Sequence, residues 1–408
     1  MIQPNSRYAI PVLLIKLCPG KIFFYQRIRS FTYFLPLKKR IAVIGLKGLP
    51  AYVGAGTVGE NIIEHLKEKF DFYVYATSSH TDLKSGDSNG YYQKVLKAIP
   101  FKKFNAFWYY LFSALHARYK GQFDLIHIHN SFAAFTIAIL PKRYPIVITT
   151  HGAFTIVEKW KRFAWFWRYN TNKLVKKADY LCCVSKDEKR KFKNLLNLDA
   201  HFIPNGINQV QKDKLPPIKV TEPYIFFGAG RIIPTKGLQF LIEALHKIEY
   251  DGKLLVAGDL DQMPSYKAEI LRMINGLRVE FVGLIKEKDL LFSYLSNAKL
   301  LVYPTQAEAM SMMLLEAVTV GCPIVCSDII ANKDILNDEE VLFFKTKDPD
   351  DLAKKLSWAL PNIDKMQERS ARAQSRFMVD YNWKTIAREY EEIFDKMTQR
   401  IPNKPVSN

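Results

Sequence analysis

Short apolar runs alternate with amphipathic stretches along the chain from Lys39 onwards. Up to residue 207, the apolar runs predict six strands, at residues 41–44, 72–75, 125–128, 146–149, 180–184 and 201–203. Apolar positions at helical spacing predict helices between them, at residues 60–69, 107–119 and 163–177. Strands that alternate with helices are typical of a parallel sheet covered on both faces. Residues 39–207 are therefore predicted to form one α/β domain.

The alternation stops at residue 208 and restarts at residue 224. Residues 208–223 carry three prolines and no apolar periodicity, which is typical of a linker. Beyond them, strands are predicted at residues 224–227, 253–256, 279–282, 300–303 and 324–326, and helices at residues 238–247, 262–275, 288–296, 311–320 and 349–360. The predicted fold class is α/β, with two Rossmann-like domains, residues 39–207 and 224–380, that face each other across a cleft.

Length and composition agree with two folded domains. The chain has 408 residues, of which 48% are hydrophobic and 24% charged, and this length is too great for one ordinary core. The formal net charge of +19 is unevenly spread, because residues 1–220 hold 35 basic and 13 acidic residues and the first acidic residue is Glu60. Such a field favours an anionic partner near the first half of the chain: phospholipid head groups, nucleic acid or an anionic substrate.

Residues 1–38 form a basic, aromatic N-terminal extension. Their most apolar run, residues 8–15, is followed by Lys16, Lys21, Arg27 and Arg29, so no stretch approaches the roughly 20 residues of a membrane span. We expect neither a signal peptide nor a spanning helix here. Two interpretations remain open: a segment that lies in the membrane interface, and a basic arm that packs loosely on the first domain or stays disordered.

Five cysteines give no metal or disulfide pattern. Cys182 and Cys183 lie in one apolar run, Cys322 and Cys326 flank another, and Cys18 lies in the extension. No neighbouring His or Cys completes a zinc spacing. We expect the four thiols in the apolar runs to be core residues of a protein from a reducing compartment.

Two glutamates, Glu308 and Glu316, lie eight positions apart after the second domain's fourth predicted strand. Glu308 is predicted in the loop, with Ser311 as the cap of the next helix and Glu316 more than one turn inside it. The free backbone N–H groups around Met310 and Met312 suit a diphosphate. One carboxylate would then face a sugar hydroxyl and the other a ribose, although an E-x7-E spacing alone is more often that of an ordinary helix.

Further upstream, Gly228 and Gly230 follow a predicted strand, and Arg231 and Lys236 precede the next helix. The glycines allow a ligand to approach the backbone closely, and two cations here would face the charge of a leaving diphosphate. The alternative is a pair of solvated cations in a turn. A phosphate site predicted at a helix end in the same domain favours the functional interpretation.

In the first domain, a strand runs into a glycine-rich loop that contains Gly54 and Gly56. Loops of this kind also open dinucleotide-binding domains. The glycine spacing here is not G-x-G-x-x-G, and no acidic residue ends the second predicted strand, where a ribose would need one. The sequence therefore argues against a dehydrogenase.

Three histidines lie in or after first-domain strands. His151 follows a strand at the edge where α/β sheets bind ligands, although a lone histidine is more often structural. His127 and His129 alternate along one strand and suggest a metal site, but without a third ligand we expect them to line the cleft. Asn130 or Ser131 is expected to contact an acceptor.

Taken together, these motifs resemble one enzyme family. The set consists of G-R-x4-K-G, Pro204-Asn-Gly206, Ala257-Gly-Asp259, Phe281-Val-Gly283 and E-x7-E. It is similar to the second half of the retaining GT-B glycosyltransferases of family 4, the glycosyl transferases group 1, and the likeness covers roughly residues 40–395. It implies transfer of a sugar from a nucleotide-diphosphate donor with retention at the anomeric carbon, with no cofactor and no obligatory metal.

The closing segment, residues 381–408, begins with helical periodicity up to residue 394. It resembles the last helix of this family, which crosses back onto the first domain. The resemblance thus predicts a helix that helps to set the hinge between open and closed clefts.

The resemblance also assigns roles, position by position. Arg231 and Lys236 would clamp the diphosphate. Glu308 would contact the donor sugar beside His151, and Glu316 would bind the ribose hydroxyls. The implied catalytic residues are thus His151, Arg231, Lys236 and Glu308, and the implied donor-binding residues are Gly54, Gly56, Met310, Ser311, Met312 and Glu316, with no metal ligand.

The family commonly has E-G-F-G where this chain has Glu308-Ala-Met-Ser311, which leaves the identity of the donor sugar open.

Two stretches of the basic half combine aromatic with basic side chains, residues 102–112 and 159–168. This composition suits a bilayer interface that presents a lipid-linked acceptor, and it could also stack nucleic-acid bases. Nucleic acid would leave the phosphate and ribose motifs of the second domain unexplained.

We therefore predict a cytoplasmic glycosyltransferase, peripheral on the cytosolic face of an anionic membrane. Its partners would be a nucleotide sugar and a glycan or lipid-linked acceptor, in cell-surface polysaccharide biosynthesis. The alternative is a basic, aromatic protein that binds membranes or nucleic acid and carries a degenerate nucleotide site.

Overall fold

The computed structural model describes residues 38–51, 54–99, 104–152 and 173–399. These described residues belong to one compact unit. Several sequence predictions lie outside the described residues: those for the N-terminal extension, for Cys18, for the stretch at residues 159–168, for the start of the stretch at residues 102–112 and for most of the helix at residues 163–177.

An eight-stranded sheet organises the first half of the chain. Its strands are β1 (Lys39–Lys47), β2 (Phe70–Thr77), β3 (Gly86–Ser88), β4 (Tyr91–Leu96), β5 (Leu125–His129), β6 (Ile146–Thr150), β7 (Tyr180–Cys183) and β8 (His201–Phe202). They lie in the order β3-β4-β2-β1-β5-β6-β7-β8, all parallel except β3, which pairs antiparallel with β4. The central strand β1 is buried from residue 41 to residue 46 because both faces of the sheet are covered.

A six-stranded parallel sheet organises the second half. Its strands are β9 (Tyr224–Arg231), β10 (Lys253–Asp259), β11 (Arg278–Gly283), β12 (Leu300–Tyr303), β13 (Ile324–Ser327) and β14 (Leu342–Phe344), in the order β11-β10-β9-β12-β13-β14. Neighbouring residues of β9 point to opposite faces: Phe226 joins one hydrophobic cluster and Phe227 the other. Each face therefore has its own core.

Helices cover both sheets. They are α1 (Ala55–Leu66), α2 (Asn105–Tyr119), α3 (Lys186–Leu196), α4 (Leu238–Lys247), α5 (Pro264–Met273), α6 (Lys288–Asn297), α7 (Met312–Thr319), α8 (Ile330–Lys333), α9 (Pro349–Ala359), α10 (Ile363–Asp380) and α11 (Trp383–Gln399), with 3-10 turns at Ser131–Ala138, Lys212–Lys214 and Pro234–Lys236. Within the described part of the chain, no helix combines the length and the apolar content that a bilayer crossing requires.

The last helix, α11, packs on the first domain although it follows the second. Ile207 N–H donates to the Tyr381 carbonyl at 2.7 Å, and Trp383 N–H donates to the Ile207 carbonyl at 3.2 Å, which joins the last residue before the linker to the start of the helix. Trp383, Tyr390 and Phe394 are buried in the same hydrophobic cluster as residues of β1 and β2. The core of the first domain is therefore completed by the end of the chain.

The predicted α/β fold with parallel sheets is confirmed, whereas several element bounds were wrong. Helix α1 begins at Ala55, five residues before the predicted start at residue 60, and ends at Leu66. The short strands β3 and β4, at the edge of the first sheet and next to it, the polar helices α3 and α10, the short helix α8 and the strand β14 were not predicted. The four cysteines of the apolar runs are buried free thiols, as predicted.

Candidate active site

A cavity of about 320 Å³ lies between the two sheets and is lined by both domains. The first domain contributes Gly54, just before α1, and His151, just after β6, and the second contributes Arg231 at the end of β9 and Glu308 after β12. In their sheet, β9 and β12 are neighbours, whereas the strand that follows β9 in the chain, β10, lies on its other side. Ligands of open α/β sheets bind at such switch points, beyond the carboxyl ends of the strands.

The N-terminus of α7 faces the cavity from the second domain. Met310, Ser311 and Met312 line the cavity, and the Ser311 hydroxyl accepts a hydrogen bond from the Leu314 N–H at 3.3 Å, so Ser311 is the predicted helix cap. The first turn carries no acidic residue. Its remaining N–H groups and the helix dipole favour an anion at this end of the cavity.

The N-terminus of α1 faces the same cavity from the first domain. Gly54 has φ 61°, a backbone conformation that residues with a side chain rarely adopt. It lines the cavity with Ala55 and Val58. This helix end has neither a side-chain cap nor an acidic residue in its first turn. Two helix N-termini thus converge on one cavity, and both favour negative charge there.

Gly56 does not line the cavity, in contrast to the other predicted site residues. It is buried, and a side chain at this position would place its Cβ 2.8 Å from the Cβ of Ala51. Its small size therefore serves the packing of the loop against α1, and a direct contact of Gly56 with a donor phosphate stays a prediction.

Glu308 lies at the centre of a hydrogen-bonded network at the end of β12. Its Oε1 forms an ion pair with Lys236, accepts a hydrogen bond from the Tyr303 hydroxyl at 2.6 Å and lies 3.4 Å from the Thr305 hydroxyl. Burial and the Glu308 carboxylate hold the pKa of Tyr303 well above its usual value, so the phenol keeps its proton and donates. Among the described residues, Oε2 of Glu308 has no hydrogen-bond partner, so this oxygen can accept from a ligand.

The loop that carries Lys236 is fixed against the end of β12. The next residue, Gly237, has φ 80°, and a Cβ there would lie 2.0 Å from the carbonyl oxygen of Pro304. Only glycine permits this approach. Lys236 and Glu308 are therefore brought together by backbone packing, 72 positions apart in the chain.

Glu316 lies inside α7 and is 7% exposed. It forms an ion pair with Lys288 at the start of α6, and both residues line the cavity. Burial raises the pKa of the Glu316 carboxyl, and Lys288 offsets part of that rise. The sequence did not single out Lys288, which was recognised only as the first residue of a predicted helix.

His151 is linked to a second histidine behind it. His129 Nδ1 and His151 Nε2 lie 3.1 Å apart, and the two rings are stacked. Burial lowers the pKa of His151 to about 4, so its imidazole is neutral at neutral pH and acts as a hydrogen-bonding group rather than as a cation.

The expectation that His127 and His129 line the cleft is wrong. Both are 1% exposed, and His127 packs against Tyr390 and Phe394 of α11. Its Nε2 lies 2.8 Å from the Thr149 hydroxyl, and burial lowers its pKa to about 3. Helix α11 covers this face of β5, so His127 is a core residue. His129 is linked to the cavity through its contact with His151.

Asn205 joins the two domains behind the cavity. Its side-chain amide donates to the Met310 carbonyl at 3.3 Å, and its Oδ1 is buried without a hydrogen-bond partner among the described residues. Asn205 also lines the cavity. The Pro204-Asn-Gly206 motif was the sequence signal for this residue, but no role followed from it.

Within the described residues, His, Cys, Asp and Glu side chains form no group of three that could hold a metal ion.

Two family models match the chain, one for each domain. The model described as Glycosyltransferase Family 4 matches residues 52–210, and the model described as Glycosyl transferases group 1 matches residues 209–376. The chain belongs to family 4 of the glycosyltransferases, with the GT-B fold.

The relatives of the chain are distant in sequence. An uncharacterised glycosyltransferase of Methanocaldococcus jannaschii is 26% identical over 362 residues, which cover 84% of this chain and 96% of the relative. A phosphatidyl-myo-inositol mannosyltransferase of Mycobacterium tuberculosis is 28% identical over 294 residues, 67% of this chain and 74% of the relative. The activity of a glycosyltransferase follows from the family, whereas the sugar and acceptor do not.

Solved structures share the fold over most of the chain. Sucrose-phosphate synthase from Thermosynechococcus elongatus superposes with a TM-score of 0.74 at 20% identity, over 89% of this chain and all of that chain. HepE from Anabaena, crystallised in complex with UDP-glucose, superposes with a TM-score of 0.70 at 16% identity, over 88% of this chain and all of that one. At these identities the likeness establishes the architecture alone.

Proposed function

We propose that this glycosyltransferase moves a sugar, with retention at the anomeric carbon and without a metal ion, from a nucleotide-diphosphate donor to a glycan or lipid-linked acceptor. The observation that carries the proposal is the convergence of two helix N-termini, Arg231 and Lys236 on one cavity that is also lined by two carboxylates, Glu308 and Glu316. Such a cavity matches a diphosphate flanked by two sets of hydroxyls.

The donor would lie along the second domain. Its diphosphate would contact Arg231 and the N-terminus of α7, with the ribose hydroxyls at Glu316 and the transferred sugar at Glu308 and His151. The free Oε2 of Glu308 would accept from a sugar hydroxyl. HepE, which has the same architecture, was crystallised with UDP-glucose, and this supports a nucleotide sugar as the donor class.

Charge development on the leaving diphosphate would be the main target of catalysis. Arg231, Lys236 and the two helix N-termini would stabilise that charge, in the role that a divalent cation has in metal-dependent transferases. The leaving phosphate would take the proton of the acceptor hydroxyl on the same face of the sugar. Glu308 is held in place by Lys236 and Tyr303 through Oε1, which suits a hydrogen-bonding role better than that of an attacking nucleophile.

The acceptor side of the proposal rests on the first domain. The net charge is concentrated in residues 1–220, and α2 exposes a row of aromatic side chains, with Phe104 just before the helix 62% exposed and Phe112 within it 46% exposed. Aromatic side chains beside Lys and Arg suit the membrane interface. The mycobacterial relative is named as a mannosyltransferase of a phosphatidylinositol, which supports a lipid-linked acceptor. The proposed location is the cytosolic face of an anionic membrane, and the proposed process is the assembly of cell-surface polysaccharide.

The competing proposal is a protein that binds membranes or nucleic acid through its basic, aromatic surface and has lost turnover. The exposed aromatic side chains of α2 are the observation that favours it. It leaves the partly buried ion pairs at Glu308 and Glu316 without a role.

The proposed donor chemistry is tested by incubating the purified full-length protein with a panel of nucleotide sugars and following release of nucleoside diphosphate. Wild type should turn over one donor, and Glu316→Ala and Lys236→Ala should both lose that turnover. Lys299→Ala, which changes an exposed lysine of the same domain, is the control and should keep it. Folded wild type that neither binds nor hydrolyses any donor would favour the competing proposal.

A further inference from the structure

Glu188 is a buried glutamate in the first turn of α3, with 3% of its surface exposed. Its Oε1 accepts a hydrogen bond from the Gly152 N–H at 3.1 Å, and its Oε2 accepts one from the Thr150 hydroxyl at 3.3 Å. Those two residues are the chain neighbours of His151, which lines the active-site cavity. A single carboxylate, 36 positions after Gly152, therefore contacts the chain on both sides of His151.

The start of α3 fixes the backbone of Glu188. The spacing Ser185-Lys-Asp-Glu188 is that of a capping box, in which the glutamate side chain accepts from a backbone N–H at the helix start. Ser185 is the N-cap, and its hydroxyl accepts from the Glu188 N–H at 3.4 Å. From this fixed position, the two carboxylate oxygens reach the segment that follows β6.

The loop after β6 needs a contact of this kind. Gly152 has φ 107°, in a region that glycine adopts freely and other residues rarely do. Because glycine has so many accessible conformations, the hydrogen bond from its N–H to Glu188 selects one of them. Burial of a carboxylate costs free energy even when it is hydrogen-bonded, and an apolar side chain of similar volume would fill the same space without that cost.

The imidazole of His151 is held from another side by His129. His129 Nδ1 lies 3.1 Å from His151 Nε2, and the two rings are stacked. The other ring nitrogen of His151, Nδ1, has no hydrogen-bond partner in the part of the chain that the structure describes, so it can bond to a ligand. The direction of this nitrogen depends on the backbone at residues 150–152, because side-chain rotamers follow the backbone angles.

We propose that Glu188 is a positioning residue for sugar transfer, which orients His151 towards the transferred sugar by holding Thr150 and Gly152. The inference rests on the proposed function, in which His151 contacts that sugar. Glu188 does not line the cavity itself, so its effect passes through His151. Placement at a reacting centre matters greatly, since a shift of about 1 Å can slow a reaction roughly 100-fold.

Two substitutions separate the reach of Glu188 from its charge. Glu188→Gln keeps the length and removes the charge: its carbonyl oxygen can accept from the Gly152 N–H, and its amide can donate to the Thr150 hydroxyl, which lies 3.4 Å from the Cys182 carbonyl. Glu188→Asp keeps the charge but is one methylene shorter, so it cannot make both contacts. Turnover of the donor is followed by release of nucleoside diphosphate, and the affinity for that nucleoside diphosphate by calorimetry.

Glu188→Gln should keep turnover within about threefold of wild type, whereas Glu188→Asp should lower it about tenfold. Both variants should bind the nucleoside diphosphate as wild type does, because the proposed contact of His151 is with the sugar. Ser370→Ala removes a buried hydrogen bond outside the cavity, from Ser370 Oγ to the Gly321 carbonyl at 2.6 Å. It is the control for a loss of stability alone and should keep both turnover and affinity.

The reverse order, with fast Glu188→Asp and slow Glu188→Gln, would overturn the inference, because charge rather than reach would then matter. Equal turnover in the two variants, or a parallel loss of turnover and nucleotide affinity, would overturn it as well. These outcomes leave the proposed function intact. Wild type that turns over no donor contradicts the proposed function, and the inference falls with it.

Discussion

Lys288 on α6 and Glu316 on α7 form an ion pair in the wall between the active-site cavity and a second cavity that α1 also lines. Glu316 is the residue proposed to bind the ribose, so a nucleotide must share its carboxylate with Lys288. Lys288 offsets part of the rise that burial causes in the pKa of Glu316, which favours the carboxylate form that accepts hydrogen bonds. If Glu316 binds the ribose as proposed, this pair holds the site ready before the donor binds.

Replacement of Lys288 by methionine should make the stability of the protein depend on pH. Without its cation, the pKa of the buried Glu316 rises further above the value in the unfolded chain. A group with a raised pKa in the folded state loses its contribution to stability as pH rises through that pKa. The loss of unfolding free energy caused by Lys288→Met should therefore be larger at pH 8 than at pH 5, as measured by urea denaturation.

The control for this prediction is Lys299→Met, which removes an exposed lysine from the same domain. Its effect should be within about 0.5 kcal/mol at both pH values. A Lys288→Met protein whose destabilisation is equal at pH 5 and pH 8 would contradict the role assigned to the ion pair.

Tyr303→Phe should slow turnover of the donor without changing nucleotide affinity. The substitution removes the 2.6 Å hydrogen bond to Glu308 Oε1 and leaves the ion pair with Lys236. The loss of one charge-assisted hydrogen bond is worth about 1.5 kcal/mol, or roughly tenfold in rate. Steady-state kinetics compared with Tyr266→Phe, which removes a buried hydroxyl outside the cavity, would check this. Equal effects of the two substitutions would speak against Glu308 as a contact of the transferred sugar.

Removal of residues 381–408 should destabilise the first domain, because Trp383, Tyr390 and Phe394 of α11 complete its core. A sharper variant is Phe394→Ala, which should lower the free energy of unfolding by about 3–5 kcal/mol. Val379→Ala, at a side chain that is 74% exposed, should change it by less than about 0.5 kcal/mol. Chemical denaturation of the three proteins gives the comparison. An unchanged melting temperature after the deletion would show that α11 is dispensable for the core.

The aromatic side chains at α2 should bind anionic membranes. Replacement of Phe104 and Phe112 by serine should reduce sedimentation with vesicles of phosphatidylglycerol and phosphatidylcholine at moderate salt. Leu271→Ser, at an exposed apolar residue of the second domain, should leave binding unchanged. Wild type that fails to bind such vesicles would remove the support for a membrane location.

Strands and helices of the second domain were the best predicted elements. Its central strands are buried on both faces, and such strands have continuous apolar runs in the sequence. The strand Leu300–Tyr303 and the helix Leu238–Lys247 have the predicted bounds. Strand β4 was missed since only alternate residues near its start are buried. Helix α10 was missed because its buried positions, Met366, Ser370, Ala373 and Phe377, are sparse among polar residues.

In the candidate site, contacts between residues distant in sequence could not be predicted. Ser311, Glu308 and Glu316 could be placed relative to one helix because they are close in sequence. The partner of Glu316, Lys288, lies 28 positions away, and the pairing depends on how α6 packs beside α7. His127 was misplaced for a related reason, since the helix that covers it comes from the far end of the chain. Contacts of this kind follow from tertiary packing and leave no local pattern.

Proton NMR of the sugar first released, or first transferred, when wild type turns over its nucleotide-sugar donor tests the proposed retaining mechanism. The anomeric configuration of the product should match that of the donor, and Glu316→Ala should give no product over the same period. A product of inverted configuration would contradict the retaining mechanism. Undiminished turnover by Glu316→Ala would contradict the assignment of this cavity as the donor site.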